Sequence, residues 1–180
     1  MDTKDGRLSL EIEISDYEMT DQGIKFVIGG VVAVLVFSKA AAGTGELKSA
    51  VPFRSLILRY SKLHSLDPCL VAAVIRKESD FDPNAVNPND PSYGLGQITL
   101  PTAGQFKVGV TKAILFLPEV NIEIMCQFIA WLRAKGVPLP GAISAYNTGF
   151  AGWKAGHKPN PPNYSEIVIG FMKGLCNGNV

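Results

Sequence analysis

Between Leu117 and Gly136 the chain carries the pattern of a long amphipathic helix. Leu117-Pro118-Glu119 opens it with proline at the first helical position, Val120, Ile124, Phe128 and Trp131 or Leu132 share one face, and Gly136 follows the end. Shorter stretches repeat the same period. Phe53, Leu56, Ile57, Tyr60 and Leu63 form one stripe, and Asp67-Pro68 supplies an N-cap with proline behind it for a second helix running to about Ser79. Pro140 to Tyr146 and Tyr164 to Leu175 read as further helices, while Asp80 to Gly96, rich in Pro, Asn, Asp and Gly, reads as a loop. The expectation is a mainly α domain.

At 180 residues there is room for one such domain and a short extension. A content of 47% hydrophobic and 18% charged residues excludes a disordered chain. The overall charge of +1 hides an asymmetry, because residues 1–22 hold seven acids against Lys4 and Arg7 and the remainder is basic. A mildly basic surface suits an anionic polymer, but spread along the chain it is more often just an ordinary solvated surface. Within the acidic extension, Leu8, Leu10, Ile12 and Ile14 alternate with Ser9, Glu11 and Glu13, the period of a short strand that needs a partner.

Residues 23–43 form an apolar segment. Its centre, FVIGGVVAVLVF from Phe26 to Phe37, lies between Lys25 and Lys39. Three readings fit: an apolar helix that anchors the chain in a membrane over 24–43, a late secretory signal, or a buried helix or strand of a larger assembly that docks through residues 1–45. Gly43 to Ala50 has linker composition, which places the catalytic domain at 50–177. Cys69, Cys126 and Cys176 show no metal-binding spacing and read as three buried thiols, with one disulfide between two of them as the alternative. Cys126 sits on the stripe of the long helix, where a thiol behaves as a small hydrophobe.

The chemistry is expected at Glu78. Val71, Val74, Ile75 and Glu78 stand at i, i+3, i+4 and i+7 of the second helix, so a carboxylate shares the stripe that faces the core. Lost hydration raises a carboxyl pKa toward the range in which it can deliver a proton near neutral pH. Periodicity alone fits equally an end-of-helix glutamate emerging into solvent. Two later stretches change the balance: YGLGQIT at 93–99 and ISAYNTG at 143–149. Gly94 and Gly96 permit unusual backbone and close approach of a sugar, Gln97 can hydrogen-bond an acetamido group, and Tyr146 can orient Glu78 or stack on a sugar ring. Asn147 ahead of Thr148-Gly149 reads equally as a helix C-cap.

Taken in order and spacing, VAAVIRKESDFDPNAV, YGLGQIT and ISAYNTG resemble the three signature motifs of soluble lytic transglycosylase-like (SLT-type) domains of the lysozyme-like superfamily. LFLPEVNI from Leu115 resembles the family's segment opening a long helix, and Asn163-Tyr164 its late tyrosine motif, so the resemblance covers about 125 residues. It implies a lysozyme-like (goose-type/SLT) helical domain with Glu78 catalytic. It implies substrate contacts from Ser79, Tyr93, Gln97, Tyr146, Asn147 and Tyr164, and no cofactor or metal.

The implied activity is lytic transglycosylation of peptidoglycan at the MurNAc-GlcNAc β-1,4 bond. In the family the glutamate protonates the leaving oxygen, the substrate's acetamido group stabilises the cationic intermediate, and the same glutamate then takes the proton of the 6-hydroxyl, leaving a 1,6-anhydro end. Two departures stand out. Asn87 occupies the place of a serine nine residues after the glutamate, in a loop one residue longer, and Gly96 replaces a methionine between Leu95 and Gln97.

A hydrolase similar to goose-type lysozyme is the rival reading, with Asp80, Asp82 or Asp90 activating water, because water-using glycosidases generally employ two carboxyl groups. A different class is an inactive glycan-binding or structural module of a phage virion or secretion assembly. Nucleic-acid binding has no support, since no basic stripe is interleaved with aromatics. The expected place of work is the cell envelope or periplasm, inner-membrane anchored if residues 24–43 span, with a phage particle as the alternative.

Overall fold

The fold is described from a computed structural model over residues 16–20, 23–28, 31–36 and 45–177. Two compact units divide the chain, Met1–Ala41 and Ala42–Val180. In the first, β1 (Asp16–Thr20), β2 (Gly23–Ile28) and β3 (Val31–Val36) form an antiparallel sheet in the order β1-β2-β3. The strand expected at residues 8–14 lies outside the described residues.

The apolar helix expected over the same segment is not formed. Its residues instead make the hairpin of β2 and β3, with Ile28 opposite Val31 and Gly23 opposite Val36. Two features of the sequence account for this. Val27, Ile28, Val31, Val32, Val34 and Val36 are β-branched and fit a pleated strand better than a helix, and the Gly-Gly pair in the sequence between them is of the type that tight hairpins favour. Among the described residues no helix is long and apolar enough to cross a membrane.

The second unit is helical, as the pattern predicts. β4 (Glu46–Leu47) precedes α1 (Arg54–Leu63) and α2 (Pro68–Ser79). The segment with linker composition is therefore partly built in, with Leu47 at 1% exposure. Asp67 caps α2 by accepting from the Cys69 N–H at 2.8 Å, satisfying a donor the helix cannot pair itself. All seven residues from Cys69 to Ile75 are buried, so α2 is apolar on every side at its first turns and forms the centre of the core.

The loop after α2 folds back as a small antiparallel sheet of β5 (Val86–Asn87), β6 (Ser92–Tyr93) and β7 (Ile98–Thr99). Beyond it come α3 (Leu100–Phe106), α4 (Lys112–Leu115), α5 (Pro118–Ala134), α6 (Leu139–Lys154) and α7 (Tyr164–Leu175). α6 extends past the expected Tyr146 and breaks at Gly149, whose φ of 71° and ψ of 155° no helix contains. β8 (Cys176–Asn177) then pairs with β4, closing the unit.

A disulfide joins Cys69 to Cys176, so two of the three expected thiols are oxidised. Their positions on α2 and just after α7 are brought together only when the two helices pack, which spacing along the chain does not reveal. Cys126 remains free and fully buried, and burial pushes its thiol up to about 12.

Candidate active site

Glu78 lies in the last turn of α2, where the helix leaves the core. The residue as a whole is half-buried, yet its carboxyl is deep enough that desolvation raises its pKa above the ordinary 4.5. Two neighbours oppose that shift. The Tyr164 hydroxyl donates to Oε1, and Lys77 contributes a positive charge. Tyr164 is fully buried at the start of α7, and the Lys77 ammonium lies 5.4 Å from the centre of its ring. The Arg76 guanidinium stacks on Phe171 of α7 at 4.6 Å, so both cations beside Glu78 reach back onto that helix.

A cleft of about 260 Å³ opens on Glu78. Its wall takes in Asn87 and Asp90 from the loop, Ser92 and Gln97 around the small sheet, Phe128 from α5, and Tyr146 with Asn147 from α6. The three separated motifs thus meet at one opening. Among the described residues no group of three or more His, Cys, Asp or Glu side chains could hold a metal ion.

The side chains expected to bind substrate divide into two sets. Gln97, Tyr146 and Asn147 line the cleft, whereas Ser79, Tyr93 and Tyr164 do not. The Ser79 hydroxyl lies within bonding distance of the Ile75 carbonyl at 3.2 Å and the Leu95 carbonyl at 2.8 Å, tying α2 to the glycine-containing loop. Tyr93 packs edge-on against Phe116, with the Lys112 ammonium 5.1 Å from its ring centre.

Gln97 is itself committed to the loop. Its amide nitrogen donates to the Gly94 carbonyl at 2.9 Å, and its oxygen accepts from Ser92 at 3.0 Å. Asn147 grips the backbone of Asn160, accepting from its N–H at 2.9 Å. The hydroxyl that reaches Glu78 belongs to Tyr164, while that of Tyr146 donates to the Gly96 carbonyl at 2.6 Å.

A carboxyl in this setting keeps its proton to higher pH than one in water and faces an open cleft. That is the equipment of a general acid. A match to the family model described as "Transglycosylase SLT domain" extends over residues 55–164, more than half of the chain. The chain belongs to the transglycosylase SLT-domain family.

Relatives agree with that placement. Over 135 residues the domain is 30% identical to the membrane-bound lytic murein transglycosylase C of Actinobacillus pleuropneumoniae serotype 5b (strain L20), covering 67% of this chain and 36% of the relative. To the protein of the same name from Shigella sonnei (strain Ss046) it is 31% identical over 117 residues, covering 57% of this chain and 32% of the other. The chain therefore spans about a third of the length of these relatives.

Solved structures share the fold. An inactive mutant of the lytic transglycosylase Slt from Pseudomonas aeruginosa superposes with a TM-score of 0.61 at 18% identity, over 68% of this chain and 24% of that one. The 70 kDa soluble lytic transglycosylase from Escherichia coli gives 0.57 at 22% identity, over 67% and 23%.

One organising residue of this SLT domain lies in the LFLPEVNI segment but is not among the side chains expected at the site. Asn121 is completely buried in α5 and donates to the carbonyls of Tyr93 and Leu115, each at 2.8 Å, while accepting from the Gly96 N–H at 2.7 Å. It locks the loop carrying Gln97 to the segment before α5. Its place in the LFLPEVNI segment, between Val120 and Ile122, is the signal that could have found it. The glycines serve the same clamp. A Cβ at Gly94 would lie 2.4 Å from the Leu115 carbonyl, and one at Gly96 would meet the Tyr146 hydroxyl at 2.9 Å and the Met125 sulfur at 3.0 Å. Neither glycine lines the cleft, so their smallness admits other parts of the protein rather than a sugar. The Met125 sulfur lies beside Gly96 in the space a side chain there would need.

Proposed function

We propose that this SLT domain is a peptidoglycan lytic transglycosylase in which Glu78 is both acid and base. The observation that carries the reading is the desolvated Glu78 carboxyl, held by Tyr164 at the wall of a cleft that the three motif segments share. In the first step Glu78 gives its proton to the glycosidic oxygen, breaking the bond to the muramoyl C1. In the second, the resulting carboxylate takes the proton of that sugar's 6-hydroxyl as its oxygen closes on C1. The proton count balances without water, and one carboxyl suffices.

A specific observation keeps hydrolysis as a second reading: Asp90 lines the same cleft. Of the three loop acids it is the one so placed. Asp82 instead accepts from the Asn84 N–H at 2.8 Å in a turn, and Asp80 is the exposed cap of α2. Mass spectrometry of fragments released from purified cell wall separates the two. Transglycosylation is expected to leave 1,6-anhydro ends, each lighter by one water than a hydrolysed end, and products that are all hydrated would assign Asp90 the base instead.

The Tyr164 bond makes a further test. It favours the charged form of Glu78, so Tyr164→Phe is expected to raise the Glu78 pKa further. Activity that needs protonated Glu78 falls as pH rises through that pKa. The alkaline limb of the pH–rate profile should therefore move to higher pH in the variant. A limb that stays in place would separate Tyr164 from proton delivery.

The cell envelope is the proposed place of action. Peptidoglycan lies there, the relatives are named membrane-bound, and a disulfide persists in an oxidising compartment.

A further inference from the structure

Beside the cleft the structure carries an aromatic track that the chemistry at Glu78 does not use. Phe128 lines the cleft and packs on Trp131 with ring centres 6.2 Å apart. Trp131 meets Phe150 edge-on at 5.2 Å, and Phe150 stacks on Trp153 at 6.2 Å with ring planes 17° apart. The last three rings are half-buried, so α5 and the end of α6 leave part of each exposed, in a chain of ring contacts that begins at Phe128.

Two cations flank the track. The Lys135 ammonium lies 5.3 Å from the centre of the Trp131 ring and that of Lys154 lies 5.8 Å from the centre of Phe150. From Ile124 to Ser165 the chain contains no acidic residue at all. Both lysines are exposed, and an exposed cation over a ring holds it by only about 0.5–1 kcal/mol. A ligand can displace them from the rings and retain their charge.

We propose that Trp131, Phe150 and Trp153, flanked by Lys135 and Lys154, form a secondary binding site for the glycan strand, continuous with the cleft through Phe128. Sugar faces stack on the rings while the lysines meet the carboxylates carried by the muramoyl residues. The inference rests on the glycan-cleaving reading of the cleft and adds to it a grip on polymer beyond the bond being cut.

Trp131 and Trp153 are the two tryptophans of the chain, so intrinsic fluorescence reports on the track directly. In the full chain carrying Glu78→Gln, peptide-free glycan strands are expected to change tryptophan emission saturably, whereas a GlcNAc-MurNAc disaccharide leaves it unaltered. Phe150→Ala in that background should weaken strand binding about ten-fold, the scale of one lost ring contact. Lys135→Glu with Lys154→Glu, both exposed and safe for folding, should weaken it similarly and flatten its dependence on salt. Strand binding that leaves emission unchanged, an equal response to the disaccharide, or unaltered strand affinity in both variants would overturn the track. Cleavage of cell wall by the wild-type chain is read separately. Cleavage without a tryptophan response refutes the track alone, while absence of both cleavage and strand binding overturns the cleft reading and the track with it.

Discussion

Replacing Glu78 by Gln should reduce release of fragments from purified cell wall by at least about 10²- to 10⁴-fold, the usual contribution of a positioned proton donor. The amide keeps the shape, and its oxygen can still accept from Tyr164, so the fold should survive. Stability is expected to move the other way. The folded-state pKa of Glu78 is raised by desolvation, which means that its contribution to stability is fully present below the ordinary value of 4.5 and is lost as pH rises through the folded value. Above that value the ionised carboxylate is therefore a cost that Gln does not bear. Thermal melts should show the variant melting above the wild type at pH 7, with the gap closing in acid. Full activity in the variant would remove Glu78 from the mechanism, and a lower melting temperature at pH 7 would remove the desolvation argument.

The second large effect concerns the disulfide. Cys69 and Cys176 are separated by 107 positions, and closing a loop of that length lowers the entropy of the unfolded chain enough to stabilise the fold by about 4 kcal/mol. Cys69→Ala with Cys176→Ala, or reduction of the native chain, should lower the melting temperature by roughly 15 °C for a domain of this size. The site should feel the change as well. α2 and α7 are joined at one end by this bond and at the other by the hydrogen bond from Tyr164 to Glu78, so loosening the first frees the register that the second requires. A melting temperature indifferent to reductant would show that packing of the two helices alone holds them.

Much of the helical unit was written locally. Proline and aspartate at the start of α2, proline at the start of α5 and the recurring apolar positions of α1, α5 and α7 each act within a turn or two of the chain, so their effect can be read without knowing what lies opposite. The same local logic was available in Gly29-Gly30 with its β-branched flanks. A hairpin stands where an apolar helix was expected, in agreement with the strand alternative. α3 lacked an apolar stripe strong enough to announce it, and Thr99, whose hydroxyl caps the helix, passed as part of a motif.

Glu78 shows where the boundary falls. Its type, its place on an apolar stripe and its company of motifs come from the order of residues, because a helix fixes which side chains share a face. Its raised pKa comes from burial by elements distant in the chain, and its partner is Tyr164 on α7 rather than Tyr146, whose hydroxyl turns to Gly96. Asn121, the disulfide and the aromatic track belong to the same class. Each depends on groups that meet only after the helices pack, and periodicity along one element carries no information about what the facing element presents.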